Sequence, residues 1–291
     1  MRGLRITELG HPPQPAELPD PDGPVLEVEA AALNPLDRAV AAGRHYTGHP
    51  PLPFVPGAEA VGLLDGRRVW AFGDGLGISR DGTFAARVRV PPEVTAPVPG
   101  GADPALACAL GIAGMAGWMP VAWRAPVRQD DRVLVLGASG TAGTVAVQAA
   151  KLLGAAHVTA AGRDREALER SGADEVVTLD GDFGEPTYVF DPLWGEPLQK
   201  AVAAAAPGAR IVQLGQSAGA EATLTSAAVR GKQLELYGYS NFAVPREDLA
   251  REYARLVSHA LAGEIRLEVE RVPLEQAADA WDRRGKIVLV P

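Results

Sequence analysis

Residues Val133–Gly154 read "VLVLGASGTAGTVAVQAAKLLG", and the reading of this stretch decides the fold. An apolar run ends at Gly137, and apolar residues then recur at helical spacing. A buried strand, a glycine turn and a helix in immediate succession open a βαβ unit. The turn Ala138-Ser139-Gly140-Thr141-Ala142-Gly143 matches G-x-G-x-x-G except at its first glycine, which is Ala138 with Gly137 just before it. The physical requirements of a dinucleotide loop are still met. Gly140 lets a pyrophosphate approach the backbone, Gly143 permits close helix–sheet packing, and the helix N-terminus offers free N–H groups. Ser139, Gly140, Thr141, Ala142 and Gly143 are therefore expected to bind a dinucleotide. A plain tight turn between strand and helix is the alternative.

Downstream, short apolar strands alternate with helices: "HVTAAG", "DREALERSG", "EVVTL", "TYVFDP", "EPLQKAVAAAAPG" and "ARIVQLG". Such alternation predicts a parallel sheet covered on both faces, with "QLELYGYS" as its last strand. An NAD site ends its second strand with an acidic residue that bonds the ribose hydroxyls. Here "HVTAAGRD" puts Gly162 in that slot and Arg163 beside it. A guanidinium without a competing carboxylate suits a 2′-phosphate, so the expected cofactor is NADP(H). The bland alternative makes Arg163 a solvated residue and Asp164 only a helix cap. "LGQSAG" and "GYSNF" follow late strands, so Leu214, Gly215, Gln216, Ser240 and Asn241 are expected to line the nicotinamide pocket.

The half before about residue 105 has another texture. It is rich in Pro and Gly, with β-type runs such as "VLEVEAAAL", "RRVWAFG" and "TFAARVRV" between turn signals, which predicts a small β-rich domain. In "DPALACALGIAGMAGWMPVAW", Asp103 is placed to cap a helix and Pro104 to begin it. The 291 residues suffice for two domains. One cysteine, Cys108, excludes an intramolecular disulfide and a multi-cysteine zinc site, which fits a reducing cytoplasm. A net charge of −8 with no basic block argues against nucleic acid as a partner. No apolar run approaches the roughly 18 residues expected of a membrane span, and the first residues lack the apolar core of a secretory signal.

"PFVPGAEAVG", residues 53–62, has the spacing of a metal-site segment with Ala58 in place of a ligand. Together with "VEAAALNPLD", "LGIAGMAGW", "VLGASGTAG", "FDPLWG", "PGARIVQLGQSAG" and "GKIVLVP", in that order along nearly the whole chain, it resembles the medium-chain dehydrogenase/reductase superfamily and its zinc-free quinone oxidoreductase branch. The resemblance implies a GroES-like catalytic domain over 1–115, completed by 243–291, with a Rossmann domain over 116–242 inserted. It also implies that zinc-ligand positions fall at Asn34, Ala58 and Ile112, none of which forms a tetrahedral zinc site. No metal is therefore expected.

Without a metal to polarise a carbonyl, quinones and α,β-unsaturated carbonyls are the easier hydride acceptors, because conjugation spreads the incoming charge. The resemblance offers Tyr46 as the hydrogen-bond or proton donor to substrate and Asn34 as an orienting amide. The expected activity is zinc-independent, NADPH-dependent reduction of a quinone or enone. The rivals are a non-catalytic NADPH-binding sensor or scaffold, and a reductase of simple aldehydes or ketones. A homodimer joined through "QLELYGYS" is expected from the resemblance and from an apolar edge strand that needs a cover.

Overall fold

A computed structural model describes residues 1–291. The chain divides into two compact units: Met1–Ala113 with Pro245–Leu261 and Leu267–Pro291, and Gly114–Val244 with Ala262–Arg266.

The first unit opens with an antiparallel pair, β1 (Arg2–Arg5) and β2 (Gln14–Glu17). Its main sheet contains β3 (Val25–Leu33), β4 (Glu59–Leu64), β5 (Arg67–Phe72), β6 (Arg87–Arg89) and β7 (Thr95–Pro97). In β3 the first residues alternate between core and solvent, and Ala30–Leu33 are buried without a break. The strand thus begins half-exposed and ends covered on both faces. Helix α1 (Pro35–Ala41) follows at once, started by Asn34 and by Pro35 at its first position. Helix α2 (Pro104–Ala109) is capped by Asp103, whose carboxylate accepts the Leu106 N–H at 3.0 Å.

Non-helical Gly111 (φ −64°, ψ −115°) separates α2 from α3 (Met115–Met119). One expectation is corrected here. The stretch Pro104–Arg124 is 21 residues long with mean hydropathy 1.6, which is long and apolar enough to cross a membrane. Alanine supplies much of that apolarity, so the sequence lacks the look of a leucine-rich span. In the fold, 72% of its most apolar window is buried inside the protein, as in a helix of a soluble core.

The second unit is an open, all-parallel sheet of β8 (Arg132–Leu136), β9 (His157–Gly162), β10 (Glu175–Thr178), β11 (Tyr188–Asp191), β12 (Arg210–Gln213) and β13 (Glu235–Gly238). Its helices are α3, α4 (Thr141–Leu152), α5 (Arg165–Arg170), α6 (Gly195–Ala204) and α7 (Ser226–Gly231). The strand order is β10-β9-β8-β11-β12-β13. The chain winds outward from β8, returns to β11, and winds outward the other way. This is the Rossmann order, and its switch point between β8 and β11 is where such sheets bind ligands, at the carboxyl ends of the strands.

The opposite end of the sheet is closed by a buried polar lock. Arg210 pairs with Asp131, donates to the Pro126 carbonyl at 2.7 Å, and lies over the Tyr188 ring at 5.2 Å. The Tyr188 hydroxyl donates to the Pro120 carbonyl at 2.7 Å.

The chain then re-enters the first unit through α8 (Arg246–Leu261), β14 (Glu270–Pro273), α9 (Ala277–Ala280) and β15 (Ile287–Val290). Antiparallel pairing sets Ile287 opposite Leu33, which brings Lys286 to Asn34. The whole is a doubly wound Rossmann sheet inserted into a β-rich, GroES-like unit.

Candidate active site

In the second unit, the glycine turn after β8 has the form that the sequence implies. Gly137 takes φ 64° and makes the tight turn that the missing first glycine would make. Gly143 is a packing glycine: a Cβ there would lie 2.4 Å from the Gly137 carbonyl oxygen. Gly140 is different. A Cβ there would meet nothing nearer than 3.5 Å, and its φ of −88° suits any residue. Nothing in the protein requires glycine at 140, and the space above it is open. Gly140 also begins α4, and no side chain caps that helix. The N–H groups of Thr141, Ala142 and Gly143 thus form an uncapped, electropositive helix start.

The end of β9 stands next to this turn. A Cβ at Gly162 would lie 3.3 Å from Ser139 Oγ, so Ser139 and Gly162 are neighbours. Arg163 is exposed and stands outside the ion pairs of α5, which are Arg165–Glu169 at 2.8 Å and Arg170–Glu166 at 3.8 Å. Asp164 caps α5 by accepting the Ala167 N–H at 3.1 Å. Asp164 is thus the helix cap, and Arg163 beside it is a solvent-exposed guanidinium. Leu214, Gly215 and Gln216 follow β12; the Leu214 N–H bonds the Asp191 carbonyl at 2.9 Å, and a Cβ at Gly215 would lie 2.6 Å from the Pro192 carbonyl oxygen. Ser240 and Asn241 follow β13, where Asn241 accepts from the Tyr239 hydroxyl. Parallel strands put all these segments at the same edge of the sheet.

In the first unit, the three zinc-ligand positions converge on a buried polar cluster. Asn34, 1% exposed, donates through Nδ2 to Glu59 Oε1 (2.8 Å) and to the Ala32 carbonyl (3.2 Å). Its Oδ1 accepts from Lys286 Nζ at 2.7 Å. The Ala58 N–H donates to Asp37 Oδ1 at 2.8 Å, and the Asn34 N–H to Asp37 Oδ2 at 2.7 Å. The Ile112 N–H donates to Glu59 Oε2 at 2.7 Å, and the Trp70 indole to the same oxygen at 2.8 Å. Gly111 is needed for this approach, since a Cβ there would lie 2.0 Å from Glu59 Oε2.

Burial pushes the Asp37 carboxyl up to about 7, helped by the Glu59 carboxylate and opposed by Lys286 and the two N–H groups. Burial raises Glu59 as well, against Lys286, Asn34, Ile112 and Trp70. Lys286 Nζ lies 3.9 Å from Glu59 Oε1 and brings a cation to two buried carboxyls. No group of three or more His, Cys, Asp or Glu side chains could hold a metal ion.

Two sequence-based assignments meet different environments. The Asn34 amide has both donors and its oxygen engaged, so it holds the cluster together and is not free to orient a substrate. Tyr46 lies after α1, 85% exposed, with its ring 4.4 Å from that of His45. The sequence reading assigned no role to Glu59, Lys286, Trp70 or Asp191. Their motifs were visible, but only strand register shows that Asn34, Glu59 and Lys286 come from three adjacent strand ends. The four lysines are all committed: Lys151 to Asp174, Lys200 and Lys232 to backbone carbonyls, and Lys286 to Asn34. None is left as a free general acid.

No family model matches the chain. It is 31% identical over 313 residues to a phenolphthiocerol/phthiocerol polyketide synthase of Mycobacterium tuberculosis, covering 92% of this chain but only 14% of that protein. It is 25% identical to the quinone oxidoreductase of Lama guanicoe, covering 100% of this chain and 97% of that one. The quinone oxidoreductase of Thermus thermophilus, solved alone and with NADPH, superposes with a TM-score of 0.84 at 28% identity over 100% of both chains. The inserted Rossmann sheet, the glycine turn and these relatives make the chain similar to the medium-chain dehydrogenase/reductase superfamily. Within that superfamily the similarity over the full length of both chains is to quinone oxidoreductases.

Proposed function

We propose that the protein is an NADPH-dependent oxidoreductase that reduces a quinone or an α,β-unsaturated carbonyl without a catalytic metal. The observation that carries the cofactor choice is the end of β9, where glycine replaces the usual carboxylate beside an exposed, unengaged Arg163. The space over Gly140 and the uncapped start of α4 fit a diphosphate. The NADPH complex of the Thermus thermophilus relative supports the same cofactor. When bound, NADPH supplies hydride to the acceptor. Ser139 to Gly143 hold the diphosphate, Gly162 and Arg163 take the 2′-phosphate, and Leu214 to Gln216 with Ser240 and Asn241 line the nicotinamide side. Tyr46 donates a hydrogen bond to the acceptor oxygen as it gains charge. Asn34, Ala58 and Ile112 offer no tetrahedral ligand set, so a conjugated acceptor suits the site better than a simple ketone.

The same proposal places the protein in the cytoplasm as a homodimer, with neither nucleic acid nor membrane as partner. A second reading, an NADPH-binding sensor or scaffold, is favoured by the exposure of Tyr46 and the full commitment of Asn34. NADPH oxidation against a panel of quinones, enones and simple aldehydes separates the two. We expect turnover of quinones or enones that a zinc chelator leaves unchanged. Tight NADPH binding with no acceptor reduced would overturn the enzymatic reading, and loss of turnover in chelator would overturn the metal-free one.

A further inference from the structure

The carboxyl end of β11 holds features that the glycine turn does not account for. Asp191, its last residue, is fully buried. Its Oδ1 accepts the N–H groups of Leu193 and Trp194, both at 2.9 Å, while Oδ2 is buried with no hydrogen-bond partner. Burial raises its carboxyl above the ordinary range, against those two N–H groups. Trp194 adopts φ 58°, ψ −161°, a backbone region that is essentially restricted to glycine, and Gly195 follows at φ 61°. Glycine at 194 would make the same turn without strain. Such a conformation persists only where its surroundings enforce it, and here the Asp191 carboxyl grips the Trp194 N–H itself.

The turn is wedged between two cofactor-loop candidates. A Cβ at Gly137 would lie 3.1 Å from Leu193 Cδ2 and 3.3 Å from Pro192 Cγ. On its other side, the Ser217 and Ala218 N–H groups donate to the carbonyls of Pro192 (3.3 Å) and Leu193 (2.8 Å). It therefore sits at the chain reversal between β8 and β11, the crevice of a doubly wound sheet. We propose that the turn Asp191–Gly195 is a preset seat for the dinucleotide, and that Asp191 is the positioning residue that holds Trp194 in the ligand-ready conformation. The inference rests on the NADPH-binding reading.

NADPH affinity, measured by calorimetry at a temperature where circular dichroism shows each variant folded, tests the proposal. Asp191→Ala should weaken binding about tenfold, because the turn must then be ordered at binding. Asp191→Asn keeps an oxygen acceptor for both N–H groups and should stay within about threefold of wild type. In a Trp194→Gly background the strain is absent, and Asp191→Ala should cost less than about threefold. That second pair carries the test if Asp191→Ala alone does not fold. A merely structural role would lower the melting temperature and leave affinity unchanged. Wild-type affinity in Asp191→Ala, or a tenfold loss in both backgrounds, overturns the proposal. A wild-type protein that binds no NADPH overturns the cofactor reading as well, whereas NADPH binding indifferent to Asp191 overturns this inference alone.

Discussion

In the proposed function, Arg163 is the residue on which the choice of cofactor turns. A charge-assisted hydrogen bond to a 2′-phosphate contributes roughly 1.5–3 kcal/mol. Arg163→Ala should therefore weaken NADPH binding by about ten- to a hundredfold and leave NADH binding nearly unchanged, since about 1.4 kcal/mol is a factor of ten. Equal losses for both cofactors in a binding titration would make Arg163 a structural residue. Tyr46 is a second single-residue question. If its hydroxyl steadies the oxygen that gains charge, Tyr46→Phe should lower kcat by roughly ten- to a hundredfold, less than the loss of a full oxyanion donor. Cofactor affinity should not move. An unchanged kcat, with a primary isotope effect from C4-deuterated NADPH still expressed, would exclude Tyr46 and leave a backbone N–H as the donor.

At the scale of elements, the β8–α4 turn contains two glycines that do different work. Gly143 is required by the protein itself, because a Cβ would be driven to 2.4 Å from the Gly137 carbonyl oxygen and 2.6 Å from Ala138 Cα. Gly143→Ala should thus destabilise the fold by about 1–3 kcal/mol, the usual cost of overpacking, in urea denaturation. Gly140→Ala meets open space and should leave that midpoint within about 0.5 kcal/mol of wild type. It should nevertheless weaken NADPH binding more than about tenfold, because the methyl group takes up the backbone approach of a diphosphate. If Gly140→Ala bound NADPH normally, the open space at 140 would have no role in the cofactor site.

Across the whole molecule, the buried cluster of Asn34, Asp37, Glu59 and Lys286 couples folding to pH. Asp37 holds its proton more tightly in the folded chain, where its carboxyl sits near 7, than in the unfolded one, where it sits near 3.8. Its contribution is therefore fully present below the unfolded value, falls as pH rises toward about 7, and changes no further above that. The loss amounts to a few kcal/mol, at about 1.4 kcal/mol per tenfold change in proton affinity. Asp37→Asn removes this titration, so its stability should change less with pH between about 4.5 and about 7.5. It should also start lower, by about 1–3 kcal/mol, because the Asn34 N–H loses its acceptor. Parallel stability curves for the two proteins would show that Asp37 does not carry the effect.

Assembly is the other property of this scale. The outer strand β13 leaves its edge open and Leu236 48% exposed. Static light scattering should find a dimer at micromolar concentration that Leu236→Lys shifts toward monomer. A wild-type monomer under those conditions would exclude the dimer.

Much of this fold was legible along the chain because its signals are local. The run from Val133 to Gly154 specifies a strand, a turn and a helix by period and by glycine placement, and both are properties of adjacent residues. The pair Gly162-Arg163 likewise carries its charge argument without any tertiary contact. Asp103 and Asp164 cap helices where their side chains reach N–H groups three residues on.

What the sequence leaves open depends on register. Asn34 reads as a free amide until β15 and β4 bring Lys286 and Glu59 to it, 252 and 25 residues away. The apolar stretch after Asp103 reads as no membrane span, yet passes that test in the fold, where packing buries it. Asp191 and Trp194 are ordinary letters in "FDPLWG", since a backbone angle of φ 58° leaves no mark on composition. Local propensity and spacing thus determined the elements. Only the tertiary structure decided which polar groups are already satisfied, because hydrogen-bond saturation and strain arise from residues that meet only after the chain has folded.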